Sequence, residues 1–199
     1  MHIYIVFAHP SHRSFTYRVL QSFTEGLKER GHTFEIGDLY EMAFETDLDA
    51  HEYARETGLD PGAPVPVDVR AEHQKIENAD AITFIYPVWW SDCPAKLKGW
   101  FDRVWSYGYA YSYDESGAHS AGEIDIDSAL VICPAGHTEE HLEEIGIAQS
   151  MRRIMLDDRL LGVGIGRAEM VILGGMTPDV EDTREANLER AYELGKSFA

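Results

Sequence analysis

Apolar residues cluster in short runs that longer, amphipathic stretches separate. Three runs, Ile3–Ala8, Ala81–Tyr86 and Ser128–Cys133, lack the alternation of a half-buried strand. Such runs are typical of parallel strands that are covered on both faces. Ala168–Gly174 predicts a last strand, and the weak alternation of Thr33–Leu39 predicts a strand towards the sheet edge.

The stretches between these runs have helical spacing. We predict that the segment Tyr40–Pro66, which is rich in proline and acids, crosses the surface with at most a short helix. The turn-like residues Asp114–Ala118 follow the last tyrosine of the central stretch. Helices are predicted at Ser14–Arg30, at Val67–Asn78, from Pro94 onward, from Thr138 to about Leu156, and at Thr177–Phe198.

Strand and helix therefore alternate about five times, which predicts a single α/β domain over residues 1–199, a three-layer sandwich around a parallel sheet. The net charge of −18 argues against nucleic acid or an anionic membrane as a partner. It fits either a self-repelling soluble surface or adaptation to a salt-rich cytoplasm.

Neither the N-terminus nor any apolar run has the features of a signal peptide or a membrane span, so we expect a cytoplasmic protein without stable membrane insertion. The two cysteines, Cys93 and Cys133, suit a reducing compartment and form no metal-ligand cluster. We interpret both as small core residues rather than nucleophiles.

Residues capable of chemistry follow the ends of three predicted strands. His9 and the helix start Ser14-Phe15-Thr16 follow the first strand and can form an anion site. Ordinary N-capping by Ser11 or Ser14, beside a solvent-exposed histidine, would explain the segment equally well. The second strand ends in Pro87-Val88-Trp89-Trp90, and two adjacent indoles do not easily both point into one core.

The third strand ends in Pro134-Ala135-Gly136-His137, where a glycine permits close approach of the backbone and the histidine is a candidate donor. A loop glycine beside a surface histidine is the plainer alternative. A phosphate site, an aromatic ledge and backbone donors together describe a flavin nucleotide at the switch point of a doubly wound sheet, with the strand order 2-1-3-4-5.

The chain resembles the NAD(P)H:quinone oxidoreductases of the flavodoxin-like fold, the DT-diaphorase and modulator-of-drug-activity type. The resemblance rests on Ile5–Pro10 with Ser14-Phe15-Thr16, on almost all of Asp80–Tyr113, and on Met176-Thr177-Pro178 followed by Arg184. It implies a flavodoxin-like five-stranded sheet, FAD as first choice and FMN as second, NADH or NADPH as co-substrate, and a homodimer whose site lies at the subunit interface.

The resemblance also implies roles for individual residues. Tyr111 and Tyr113 match the tyrosines that roof the substrate pocket from the partner subunit. Asp102 and Arg184 match contacts to the adenosine half of FAD. The flavin-binding residues it implies are His9, Ser14, Phe15 and Thr16 at the phosphates, and Pro87, Val88, Trp89 and Trp90 at the isoalloxazine.

Two departures from the family pattern concern the site. The loop that usually reads Thr-Thr-Gly-Gly is Pro134–His137 here. The tyrosine and histidine that assist hydride transfer in animal members are replaced near Leu142 and Ala148, so that relay is absent. His137, or else His141, is the candidate substitute.

The sequence thus predicts an enzyme that passes two electrons, in a ping-pong mechanism, from NAD(P)H to a quinone or a similar planar acceptor. Three alternatives stay open. One is a flavin-binding regulatory or ancillary subunit of a potassium-efflux system, another is an azo or nitro reductase, and the third is an electron-carrier flavodoxin. The paired indoles and the tyrosines argue against the carrier, which keeps its flavin edge open.

Overall fold

The structure is a computed structural model that describes residues 1–113, 120–176 and 181–198. The turn predicted at Asp114–Ala118 lies outside these ranges, as does the start of the last helix at Thr177. None of the helices in the three described stretches combines the length and the hydropathy that crossing a lipid bilayer requires.

A parallel sheet forms the centre of the fold, and a two-stranded antiparallel ribbon stands apart from it. The strands are β1 (His2–Phe7), β2 (Thr33–Asp38), β3 (Ala81–Ile85), β4 (Tyr111–Tyr113), β5 (Ser120–Gly122), β6 (Ser128–Pro134) and β7 (Arg167–Leu173). The five sheet strands run in the order β2-β1-β3-β6-β7. Counted within the sheet alone, this is the predicted order 2-1-3-4-5, which is confirmed. The β4–β5 ribbon was not predicted.

Helices cover both faces of the sheet. They are α1 (Phe15–Glu29), α2 (Ala50–Gly58), α3 (Val67–Glu77), α4 (Ala95–Val104), α5 (Glu139–Glu144), α6 (Ile147–Arg152) and α7 (Glu181–Ser197). The buried residues of α1 and α7 pack on one face, and those of α3, α4, α5 and α6 pack on the other. The predicted three-layer sandwich is therefore confirmed.

Backbones meet directly where α1 packs on α7. A Cβ built on Gly26 would lie 2.1 Å from the carbonyl oxygen of Tyr192, and one built on Gly195 would lie 2.1 Å from that of Phe23. Glycine at both positions is what allows the two helices to approach so closely.

The single helix predicted from Thr138 to about Leu156 is wrong. Gly146 adopts φ +76° and separates α5 from α6. The α6 helix then continues into a π-helical segment, Arg153–Leu160, and a short 3₁₀ turn at Leu161–Val163. Left-handed backbone is cheap only for glycine, so a glycine inside an otherwise helical pattern marked the break.

The predicted surface excursion contains the short helix α2 and is tied to the rest of the fold by a buried arginine. The Nε of Arg103 donates to Glu52 Oε1 at 2.7 Å, its Nη1 donates to the carbonyl of Glu45 at 2.9 Å, and the guanidinium also pairs with Asp68. Buried charges are tolerated when they are paired and hydrogen-bonded, and these contacts fix α2 against α3 and α4.

Candidate functional site

The carboxyl ends of β1, β3 and β6 lie side by side. The N–H of Ala8 donates to Ile85 O at 3.1 Å, and the N–H of Val88 donates to Pro134 O at 2.8 Å. All three predicted strand-end segments therefore meet at one edge of the sheet, which is where open α/β sheets bind ligands.

His9 is held in one tautomer at this edge. The N–H of Ser11 donates to its Nδ1 at 3.0 Å, which leaves the proton on Nε2. Burial lowers the pKa of His9 below its ordinary value, so the ring is a neutral donor near neutrality. Its centroid lies 5.9 Å from the Trp89 ring at an angle of 60°, which joins the first strand end to the second.

The N-terminus of α1 begins beside this histidine. Ser14 is the N-cap, and its side chain accepts from the N–H of Tyr17 at 3.1 Å. The N–H groups of Phe15 and Thr16 belong to the first turn and have no intrahelical acceptor, because helix geometry provides none there. These donors, with the positive end of the helix dipole, can hold a phosphate.

Trp89 to Asp92 form a tight turn directly after the second strand end. Trp89 and Asp92 exchange backbone hydrogen bonds of 3.0 and 3.2 Å. The two central residues, Trp90 and Ser91, have φ of +50° and +67°. Trp90 is fully exposed and Trp89 is 42% exposed, so neither indole lies in the core of the chain.

Only some backbone donors at the second and third strand ends remain available to a ligand. The N–H groups of Val88 and Trp89 are both bonded within the protein. Those of Trp90, Gly136 and His137 have no acceptor among the described residues. A Cβ built on Gly136 would meet nothing within 4 Å, so the space beside that backbone is open. Of the backbone donors predicted to bind a planar ring, in Pro87–Trp90 and Pro134–His137, these three are the ones that stay available.

The tyrosines Tyr111 and Tyr113 lie on the β4 ribbon, where Glu56 of α2 holds the first of them. The Tyr111 hydroxyl donates to Glu56 Oε2 at 3.2 Å, and the N–H of Tyr107 donates to the same oxygen at 3.0 Å. The Glu56 Oε1 pairs with Arg55 at 2.7 Å. Burial and then the Glu56 carboxylate raise the pKa of Tyr111 to about 12.

Two residues of the predicted adenosine site do not come together within one chain. Asp102 lies on α4, which packs on one face of the sheet, and pairs with Lys98 one turn earlier. Arg184 lies in the first turn of α7, on the opposite face.

The histidines of the third strand end form a loose pair. The rings of His137 and His141 lie 5.0 Å apart at 47°, and both side chains are exposed. Leu142 and Ala148, which stand where the family places its relay, are buried in the core.

Both cysteines are buried, and neither forms a disulfide. Burial raises the pKa of Cys93 and of Cys133 to about 12, so neither is a thiolate near neutrality. Their interpretation as core residues fits this environment.

Sequence patterns did not indicate four residues that shape this edge. They are Arg55, Glu56, Asp92 and Arg159, and both Nη atoms of Arg159 donate to the Asp92 carboxylate, at 2.9 and 3.1 Å. The contacts of Glu56 with Tyr107 and of Arg159 with Asp92 join positions 51 and 67 residues apart. Acids and arginines in an acid-rich chain carry no local signal for such pairing.

Comparison with known proteins agrees with this geometry. A family model described as flavodoxin-like fold matches residues 1–194. A solved structure of an NAD(P)H:quinone oxidoreductase from Methanothermobacter marburgensis is 58% identical, with a TM-score of 0.96 over 100% of this chain and 99% of the other.

Two curated relatives are more distant. A Haemophilus influenzae protein named an uncharacterized NAD(P)H oxidoreductase is 32% identical, over 95% of this chain and 91% of its own. The NAD(P)H dehydrogenase [quinone] 1 of Cavia porcellus is 29% identical over 76% of this chain, and the match spans 59% of that longer protein.

Proposed function

The chain belongs to the family with the flavodoxin-like fold that includes NAD(P)H:quinone oxidoreductases, and from this premise we propose that it transfers two electrons from NAD(P)H to a quinone through a bound flavin. The observation that carries the proposal is the meeting of an anion site, an aromatic ledge and three free backbone donors at one edge of the sheet. A bound flavin would supply two-electron hydride chemistry between NAD(P)H and the acceptor, in a ping-pong sequence.

The chain's own residues bind and orient. The Nε2 proton of His9, the Ser14 hydroxyl and the first-turn N–H groups of Phe15 and Thr16 hold phosphate. The indole of Trp89 gives the isoalloxazine a flat wall, beside Pro87 and Val88.

The free N–H groups of Trp90, Gly136 and His137 would bind the polar edge of the isoalloxazine. The last two lie in the loop that begins with Pro134 and Ala135. The exposed imidazole of His137 stands where a proton can be exchanged with solvent during turnover.

We propose FAD as the cofactor and FMN as the alternative. The first turn of α7, which carries Arg184, begins at the carboxyl edge of the sheet and can reach the adenosine half of a dinucleotide. Asp102 lies about two turns into α4, on the other face of the sheet, so we propose that it contacts the cofactor of a partner subunit.

The active form is a homodimer with its site at the interface. Trp90 is wholly exposed and Tyr113 is 40% exposed in the single chain, which suits residues that a second copy covers. Tyr111 and Tyr113 of one subunit would then roof the pocket of the other and cover a planar substrate bound against the flavin. We place the enzyme in the cytoplasm, where two unpaired buried cysteines remain reduced.

One experiment tests the function and the cofactor together. Protein purified with its yellow colour is heated, and the released molecule is identified by mass. The reconstituted protein then receives NADH or NADPH with benzoquinone. We expect release of FAD or FMN and rapid quinone-dependent oxidation of at least one nicotinamide. If neither NADH nor NADPH were oxidised with either flavin, the proposal would be refuted. If only azo or nitro compounds supported turnover, the acceptor would be one of these compounds and not a quinone.

A further inference from the structure

The turn that carries Trp90 is strained. Positive φ at both central residues is the pattern of a type I′ turn, whose preferred residues are asparagine and glycine. Here those residues are Trp90, at φ +50°, and Ser91, at φ +67°. Neither side chain offsets the strain by burial, since both are exposed. Such conformations persist only where the surroundings hold them.

Asp92 connects this turn to the rest of the fold. Its backbone closes the turn on Trp89, and its carboxylate receives the N–H of Cys93 at 2.7 Å. The same carboxylate receives both Nη atoms of Arg159 in a bidentate pair of 2.9 and 3.1 Å. Although burial opposes it, the hydrogen bonds from Arg159 and Cys93 lower the pKa of Asp92, so the carboxylate stays charged.

Arg159 is itself rigidly placed. Its side chain is only 10% exposed, and its guanidinium lies 5.4 Å from the centroid of the Phe101 ring. Its carbonyl oxygen accepts from the indole Nε1 of Trp105 at 2.8 Å. The residue lies in the π-helical segment Arg153–Leu160, and π-helical insertions recur at functional sites. A bidentate pair of this kind constrains geometry more than a single point charge can.

We propose that Arg159 is a positioning residue that, through Asp92, holds the Trp89–Asp92 turn in its left-handed conformation and so presents the Trp90 N–H to the flavin. This inference rests on the proposed function for the identity of the ligand. The turn's geometry does not depend on that identity, because every contact that fixes it lies within the chain.

The role has a measurable consequence. Without the Arg159 contact the turn relaxes towards ordinary φ values, and only a fraction of molecules presents the Trp90 N–H. The apparent dissociation constant then rises by the inverse of that fraction. Glycine at position 91 accepts positive φ without strain, so Ser91→Gly restores the fraction when the arginine is absent. In the wild type the turn is already held, and Ser91→Gly changes little.

The test measures binding of FMN and of FAD to the full chain by quenching of flavin fluorescence. We expect Arg159→Met to raise the dissociation constant for flavin about tenfold. Arg159→Lys keeps the charge but cannot form the bidentate pair, so its dissociation constant should lie between those of the wild type and Arg159→Met. We expect Ser91→Gly in the Arg159→Met background to return it to within about threefold of wild type. Leu59→Gly, at another left-handed position (φ +49°) far along the chain, is the matched control and should restore nothing.

A second readout needs no flavin. The backbone amide resonance of Trp90 should shift or broaden in Arg159→Met and recover with Ser91→Gly. Unchanged affinity and an unchanged Trp90 resonance in Arg159→Met and Arg159→Lys would overturn the inference, as would equal recovery by Leu59→Gly. If the wild type bound neither flavin, the proposed function would fall, and the Trp90 resonance alone would still decide whether Arg159 holds the turn.

Discussion

Replacing Glu56 by alanine removes the contact through which α2 holds the β4–β5 ribbon. The change deletes the acceptor of the Tyr111 hydroxyl and of the Tyr107 N–H, both of which bond one carboxylate oxygen. It also removes the ion-pair partner of Arg55, whose side chain is only 5% exposed.

The expected loss of unfolding free energy follows from how deeply Glu56 and Arg55 are buried. A hydrogen bond to a charged group contributes about 1.5–3 kcal/mol, and removing one partner of a fully buried ion pair costs about 3–5 kcal/mol. The Glu56 side chain is 22% exposed, and Arg55 keeps its 2.6 Å bond to the carbonyl of Tyr107, so water and that carbonyl offset part of the loss. We expect Glu56→Ala to lower the free energy of unfolding by about 2–3 kcal/mol, or the melting temperature by about 4–12 °C.

Urea unfolding followed by circular dichroism measures the change. Glu25→Ala, an exposed acid on α1, is the matched control and should stay within about 0.5 kcal/mol of wild type. A double-mutant cycle with Tyr111→Phe isolates the hydroxyl contact, for which we expect a coupling of about 1 kcal/mol. If Glu56→Ala cost no more than Glu25→Ala, or if its effect and that of Tyr111→Phe were fully additive, Glu56 would not anchor the ribbon.

Three further outcomes are expected. Cys93 and Cys133 should react with a thiol reagent at about pH 8 only after unfolding, because burial raises both pKa values to about 12; fast labelling of the native protein would contradict this. Gly99→Ala should lower the free energy of unfolding by about 1–3 kcal/mol in urea, because its Cβ would lie 2.5 Å from a backbone oxygen of the segment before α2, whereas Gly58→Ala, which meets nothing, should not. Burial and then the Glu56 carboxylate raise the pKa of Tyr111 from 10.0 to about 12. The neutral tyrosine therefore contributes stability that is complete below pH 10 and is lost as the pH rises towards 12. Tyr111→Phe should reduce this alkaline fall in melting temperature, and an identical pH profile of the variant and the wild type would count against it.

The sequence predicted the sheet well because its strands have a strong local signal. The runs around Ile5, Phe84 and Val131 are almost wholly apolar, with Thr83 as the polar exception inside them, and are buried in the structure. Strand ends then converge by topology alone, which is why His9 and Trp89 could be placed at one edge before any coordinate was known.

The prediction failed where distant contacts decide local conformation. The β4–β5 ribbon is held in part by Glu56 from another element. The break at Gly146, by contrast, had a local signal in the glycine itself, which the helical spacing around it outweighed. The left-handed φ values of Trp90 and Ser91 oppose local preference, so no propensity argument could find them. Asp102 and Arg184 were grouped by resemblance, and only the layer arrangement shows that they occupy opposite faces.

The glycine contact between α1 and α7 gives the two faces of the molecule different dynamics. Helices whose backbones touch at Gly26 and Gly195 can neither slide nor separate without losing the whole interface. We therefore expect the hydrogen-bonded amides packed around Gly26 and Gly195 to exchange only through global unfolding, whereas the first-turn amides of α1, which have no intrahelical acceptor, exchange faster. Those of the π-helical segment and of the loops around α2 should exchange through small local openings. Any motion that admits a planar substrate is thus confined to one side of the sheet, while the other serves as a fixed frame.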